Sequence, residues 1–210
     1  MQRVRIKYCG ITNLEDALAA IALGVDALGF VFHPPSPRYV TAEQAAAIIA
    51  RLPPLVSTVG LFVNRPPEEV METLAMTGID LVQYHGDETP AACAAGPRAW
   101  IKAVRVRTGV DVGACARDYR GARALLVDTF DGQVYGGSGR AFDWSLLPAA
   151  VDTPLILAGG LTAANVAAAI RQVRPYAVDV SGGIEASKGR KDHEKMHRFV
   201  TEVRTVERET

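Results

Sequence analysis

Val4-Arg5-Ile6-Lys7-Tyr8-Cys9-Gly10-Ile11-Thr12 is the stretch that separates two parallel folds. Val4–Cys9 reads as a strand, and the turn after Cys9 shows which kind of sheet this strand opens. In an open doubly wound sheet the first strand commonly runs into a G-x-G-x-x-G loop, whose glycines let a pyrophosphate approach the backbone. Here the strand runs into Cys9-Gly10-Ile11-Thr12, with one glycine. Leu14, Ala17, Leu18, Ile21 and Ala22 then come at helical spacing. Thr12 and Glu15 have the spacing of a capping box at the start of that helix.

The same strand-then-helix unit recurs to the end of the chain. Further strands are expected at Ala27–Phe32, Ser57–Val63, Leu81–His85, Trp100–Val106, Ala124–Asp128, Leu155–Ala158 and Ala177–Ser181. They are short and mostly apolar on both faces, as strands of a helix-covered parallel sheet are. Thr41 with Gln44 opens a helix running to about Arg51, and Asn64 before Pro66 reads as a cap with proline in the first turn. Thr162 is the expected cap of Ala163–Val173. A last helix, Lys191–Arg204, puts Met196, Phe199, Val200 and Val203 on one face. Open doubly wound sheets usually hold about five or six strands. Eight units in strict alternation predict closure instead: an α/β fold, a (β/α)8 TIM barrel occupying residues 1–210 as a single domain. Pro34-Pro35-Ser36-Pro37 is a stiff loop inside a unit, not a linker.

Composition narrows the function. A chain of 210 residues is short for this fold, and 49% hydrophobic content suffices for its core. Lys+Arg and Asp+Glu each number 23, which points to neither nucleic acid nor a membrane surface as partner. No apolar run approaches the roughly 18 residues of a membrane span, and Met1–Gly10 lacks the apolar segment of a secretion signal. Cys9, Cys93 and Cys115 form no CxxC pair. That fits a reducing, cytoplasmic compartment and makes a thiolate zinc site improbable.

Polar residues stand where a barrel should be dry. Side chains alternate along a strand, so Lys7 shares a face with Cys9, Gln83 with His85, Leu126 with Asp128, and Asp179 with Ser181. Each buried polar group there must find a partner or carry a penalty. Cys9, His85, Asp128 and Asp179 all fall at the C-terminal ends of their strands, where this fold builds its active sites. Singly, each has a structural reading: a small buried thiol, a strand end, a turn cap, a loop tether. Converging on one rim, they favour a site.

Two glycine pairs add an anion signal. Gly159-Gly160 comes after the seventh strand, and Ser181-Gly182-Gly183 after the eighth. Glycine permits close backbone approach, and the loops after strands seven and eight are the recurrent phosphate site of these barrels. The competing reading is a pair of tight turns that need positive φ. Arg38, after the second strand, could clamp a carboxylate with two parallel hydrogen bonds, the competing reading being an ordinary exposed arginine. Gly136-Gly137-Ser138-Gly139 reads as a mobile lid or a flexible loop.

These segments, in order, resemble the phosphoribosylanthranilate isomerase family. The resemblance rests on Lys7-Tyr8-Cys9-Gly10-Ile11-Thr12, Ser36-Pro37-Arg38-Tyr39-Val40, Val82-Gln83-Tyr84-His85-Gly86 and Leu126-Val127-Asp128. It continues through Gly136–Gly139, Phe142-Asp143-Trp144, Leu157-Ala158-Gly159-Gly160-Leu161 and Val178–Glu185. Tyr8 and Tyr84 depart from the family's commoner aliphatic residues, and Gly183 and Arg140 are small variations. The resemblance implies an Amadori rearrangement in tryptophan synthesis, with Asp128 as general acid, Cys9 as general base and no cofactor or metal. It implies Arg38 on the anthranilate carboxylate, Gly159, Gly160 and Ser181–Gly183 on the phosphate, and His85 and Asp179 shaping the site. A modest depression of the Cys9 pKa is expected to supply thiolate. The partner is then a small phosphorylated molecule, the protein itself a monomer or homodimer; Phe62 and Val63 suit either packing or an interface.

Three rivals stand beside it. A histidine-pathway aldose–ketose isomerase barrel runs the same reaction type, but that class usually relies on two aspartates and a substrate with two phosphates. A catalytically dead barrel would have no need of both Cys9 and Asp128. A zinc peptidase is suggested by His193-Glu194-Lys195-Met196-His197, a literal H-E-x-x-H. Its histidines flank the apolar face of the last helix and suit a solvated edge.

Overall fold

Short strands buried on both faces generate the architecture. The computed structural model describes residues 3–129, 143–148 and 150–208. The strands are β1 (Arg5–Cys9), β2 (Ala27–Val31), β3 (Ser57–Phe62), β4 (Leu81–Tyr84), β5 (Ala99–Val106), β6 (Ala124–Thr129), β7 (Leu155–Leu157) and β8 (Ala177–Val180). They pair in parallel in chain order, and β8 returns to β1 to close the barrel. Around it stand α1 (Leu14–Ala22), α2 (Ala42–Ile49), α3 (Pro67–Thr77), α4 (Pro90–Ala94), α5 (Val112–Asp118), α6 (Val166–Val173) and α7 (His193–Arg208). No helix of the described residues is long and apolar enough to cross a membrane.

Two apolar layers result. Outward residues such as Tyr8, Leu28, Phe30, Phe62, Leu125, Val127 and Val178 meet the helix faces in one continuous cluster. Inward residues Ile101, Ala103, Ala124, Leu126, Ile156, Ala158 and Ala177 form a second, lighter one. Val63 packs with Cys9, Val31 and Leu61, so Phe62 and Val63 are both buried within the chain itself. The departure at Tyr8 has a structural reason. Its ring packs edge-on against Phe199, and its hydroxyl donates to the Met196 carbonyl at 2.6 Å, fastening the barrel to α7.

The Thr41–Gln44 capping box is present as expected, but helix starts differ from the sequence reading in four places. The first helix is capped one residue later than Thr12, by Asn13, which accepts from the Asp16 amide. Thr12 is otherwise engaged: its hydroxyl donates to Gly189 O at 2.5 Å. Asn64 does not cap α3; it sits at φ 49° and accepts from the Asp87 amide, while Pro66 takes the cap position. Thr162 yields to Asn165, and α6 starts at Val166. The last helix starts at His193, not Lys191, because Glu185–Ser187 (β9) and Arg190–Lys191 (β10) form an antiparallel hairpin that the periodicity did not reveal.

Candidate active site

Cys9 ends β1 with its side chain inside the mouth, against Val31, Leu61 and Val63. Gly29 makes room for it: a Cβ there would lie 2.9 Å from the Cys9 sulfur and 3.1 Å from Lys7 Nζ. Lys7 is the register partner of Asp179 across the β1–β8 seam, and Lys7 Nζ reaches Asp179 Oδ1 at 2.8 Å. Both side chains are nearly out of solvent. Burial pushes the Cys9 thiol up from its usual range, and the positive charge of Lys7 offsets this only in part. The expected depression is therefore overturned. A thiol removed from water resists ionising more than one ammonium, itself neutralised by Asp179, can reverse. For Lys7, burial opposes the charge, yet Asp179 and Cys9 outweigh it and hold its pKa up.

A second polar pair lies on the wall made by β4 and β6. The Gln83 side-chain amide donates to His85 Nδ1 at 2.9 Å, which places the neutral ring's proton on Nε2. Nε2 faces Asp128 Oδ2 at 3.3 Å, but the contact is not aligned as a hydrogen bond, and Nε2 has no other partner among the described residues. Asp128 Oδ1 accepts from the Thr129 amide at 2.7 Å. Asp128 and His85 are 6% and 4% exposed, so the pair is shielded from bulk water.

The glycine loops meet beside this pair. Gly159 has φ 82°, and a Cβ there would stand 2.4 Å from Thr129 Oγ1 and 3.0 Å from Asp128 Oδ1. The tight-turn reading thus holds at Gly159 and Gly160, both at positive φ, but not at Gly182 or Gly183. Gly183 is there for closeness: its Cβ would fall 1.9 Å from the Leu161 carbonyl oxygen. The loops after β7 and β8 are in backbone contact, which gathers their N–H groups into one corner. We expect Gly183→Ala to force the loops apart and to weaken inorganic phosphate binding at least tenfold. Competition with substrate measures this, and unchanged affinity in a folded variant would exclude the corner as the phosphate site.

Arg38 is not a free clamp. Its Nε and Nη2 donate to Glu185 at 2.7 and 2.8 Å. Lys191, on β10, donates to the same carboxylate at 3.1 Å and to the Cys9 carbonyl at 2.6 Å. The sequence reading did not single out Gly29, Glu185 or Lys191. Lys7 and Gln83 it noted only as face partners, and their inward parity was the available signal. Gly136–Gly139, Arg140 and Phe142 lie outside the described residues. His193 pairs with Asp16 at 2.9 Å and His197 is exposed. Among the described residues no cluster of metal-ligating side chains includes them. A cavity of about 600 Å³ opens at the opposite, N-terminal end of the barrel. Cys9, His85, Asp128 and Asp179 instead lie buried at the C-terminal mouth, the end at which this fold builds active sites.

Comparison with known proteins agrees with this geometry. The family model described as N-(5'phosphoribosyl)anthranilate (PRA) isomerase matches residues 6–202. The N-(5'-phosphoribosyl)anthranilate isomerase of Pseudomonas syringae pv. tomato is 58% identical over 203 residues, covering 97% of this chain and 98% of that one. The Thermotoga maritima phosphoribosyl anthranilate isomerase structure superimposes with a TM-score of 0.89 at 43% identity, covering 96% of this chain and 99% of that one. Another isomerase structure, solved in complex with reduced 1-(o-carboxyphenylamino)-1-deoxyribulose 5-phosphate, gives a TM-score of 0.81 at 41% identity, with coverage of 96% and 99%. With a family match across nearly its whole length and a relative of this identity, the chain belongs to the N-(5'-phosphoribosyl)anthranilate isomerase family.

Proposed function

We propose that the barrel mouth carries out the rearrangement of N-(5-phosphoribosyl)anthranilate to 1-(2-carboxyphenylamino)-1-deoxyribulose 5-phosphate with Asp128 as general acid and Cys9 as general base. Family membership makes the chain an isomerase of tryptophan biosynthesis. The observation that carries the residue roles is the pairing of buried ionisable groups: Lys7–Asp179 beside Cys9 on one wall, His85 beside Asp128 on another. Barrel interiors are otherwise apolar.

Asp128 delivers a proton to the furanose ring oxygen, and the C1–O bond opens to a Schiff base. Cys9 removes the proton from C2, and the electron pair moves toward the iminium nitrogen, giving an enolamine. Tautomerisation yields the ketone. Arg38 holds the anthranilate carboxylate, and the backbone of Gly159, Gly160 and Ser181–Gly183 holds the phosphate. Two anchors fix the sugar between acid and base. His85 and Asp179 orient Asp128 and Lys7. The ligand of the solved relative carries both anchored groups, a ring carboxylate and a phosphate.

The raised Cys9 pKa gives this reading a pH signature. The reactive thiolate is the minor form near neutrality, so the pKa that the kcat/KM profile reports for the base lies above the usual thiol range. Lys7→Met removes the charge that favours the thiolate and moves that pKa further up. A profile unchanged by this substitution would detach Lys7 from the base. The primary test is decay of substrate fluorescence with the wild-type protein; a folded chain with no turnover would sink the assignment.

A further inference from the structure

The contacts of Arg38 bear on substrate selection, provided the proposed substrate is the right one. Three side-chain charges are in direct contact where the β8 loop meets the β9–β10 hairpin, and the exposed ammonium of Lys195 donates to the Glu185 main-chain carbonyl at 2.8 Å. Glu185 spans the Nε–Nη2 edge of Arg38, and Lys191 donates to Glu185 Oε1. The side chains of Arg38, Glu185 and Lys191 are 11%, 6% and 0% exposed.

A guanidinium has five N–H donors in a fixed fork. With Glu185 on the side edge, the end edge formed by Nη1 and Nη2 is left for a second carboxylate, and Nη1 donates to none of the described residues. Gly182 keeps that end uncovered: a Cβ there would approach Arg38 Nη2 to 3.3 Å. Yet Arg38 and Glu185 alone sum to zero charge, and a neutral pair attracts an anion poorly. Burial pushes the Lys191 pKa down and Glu185 holds against it; as the ammonium form that this contact supports, Lys191 restores a net charge of +1 to the three groups without touching the end edge. A neutral donor would serve the carbonyls of Cys9 and Ser181 that Lys191 also meets. An ammonium withdrawn from water is costly to keep, and here it is kept by the Glu185 carboxylate, whose charge it offsets.

We propose that Lys191 is a specificity-determining residue: by offsetting Glu185 it keeps the Arg38 end cationic and selects a substrate whose aromatic ring carries a carboxylate.

The test compares two ligands by calorimetry on the full chain: reduced 1-(o-carboxyphenylamino)-1-deoxyribulose 5-phosphate and the same compound lacking the ring carboxylate. Wild type is expected to prefer the carboxylate form by on the order of ten- to a hundredfold, the range of a charge-assisted hydrogen bond. Lys191→Gln, which leaves the cluster neutral, abolishes most of that preference. The double variant Glu185→Gln/Lys191→Gln returns the cluster to +1 and recovers it. A merely structural lysine gives no such rescue, so a double variant as indifferent as the single one overturns the proposal. So does a Lys191→Gln protein that keeps the wild-type ratio. If Lys191→Gln does not fold, Glu185→Gln decides the matter: its cluster is more positive, its preference must not fall below wild type, and a fall overturns the proposal. Wild type that binds neither ligand contradicts the substrate reading itself, and equal binding of both contradicts the role of Arg38 in it; either result removes the ground of this proposal too.

Discussion

Asp128→Asn is expected to lower kcat by roughly a hundred- to ten-thousand-fold, the usual contribution of a positioned acid. The substitution is nearly isosteric. An asparagine oxygen at the Oδ1 position still accepts from the Thr129 amide, and the close fit to Gly159 is kept. What is lost is the proton for the ring oxygen, so KM and the affinity for the reduced product change little while kcat collapses. Steady-state rates together with calorimetric binding separate the two. A variant within tenfold of wild type would return Asp128 to the role of a turn cap.

A similar loss, on the order of a hundredfold or more, is expected for Cys9→Ser. Serine fits the space that Gly29 leaves, keeps a polar atom beside Lys7, and leaves the Lys191 bond to the residue 9 carbonyl in place. A hydroxyl is far less acidic than a thiol, and the same burial that pushes the thiol up bears on it. The anion that should take the C2 proton is then essentially absent, whereas ring opening, which depends on Asp128, is untouched. The discriminating readout is the isotope effect with substrate deuterated at C2: proton removal becomes the slow step in Cys9→Ser, so the effect grows. Full activity with an unchanged isotope effect would show that another group removes the proton.

Much of the fold is legible in the chain itself. Short apolar runs set between helical spacings place the eight barrel strands within about a residue of their observed ends. Inward parity puts Cys9, His85, Asp128 and Asp179 at one mouth, and the structure buries all four there. Cap assignments fared worse. Thr12, Asn64 and Thr162 have the right chemistry to cap, but the side chains of Thr12 and Asn64 are claimed by Gly189 and Asp87, and at Thr162 it is the backbone amide that bonds, to the Asn165 side chain; the capping pattern reveals none of these partners.

The repeating unit, its closure into a barrel and the polar rim can be read from the chain alone, because periodicity and strand parity are local properties. Which groups pair with which is a matter of packing. Lys7 and Asp179, 172 residues apart, meet only because β8 closes on β1 in that register. Glu185 reaches Arg38 only because a hairpin after β8 folds back beside the β2 loop. The direction of the Cys9 shift has the same origin, since burial and charge at the thiol are sums over residues from distant strands.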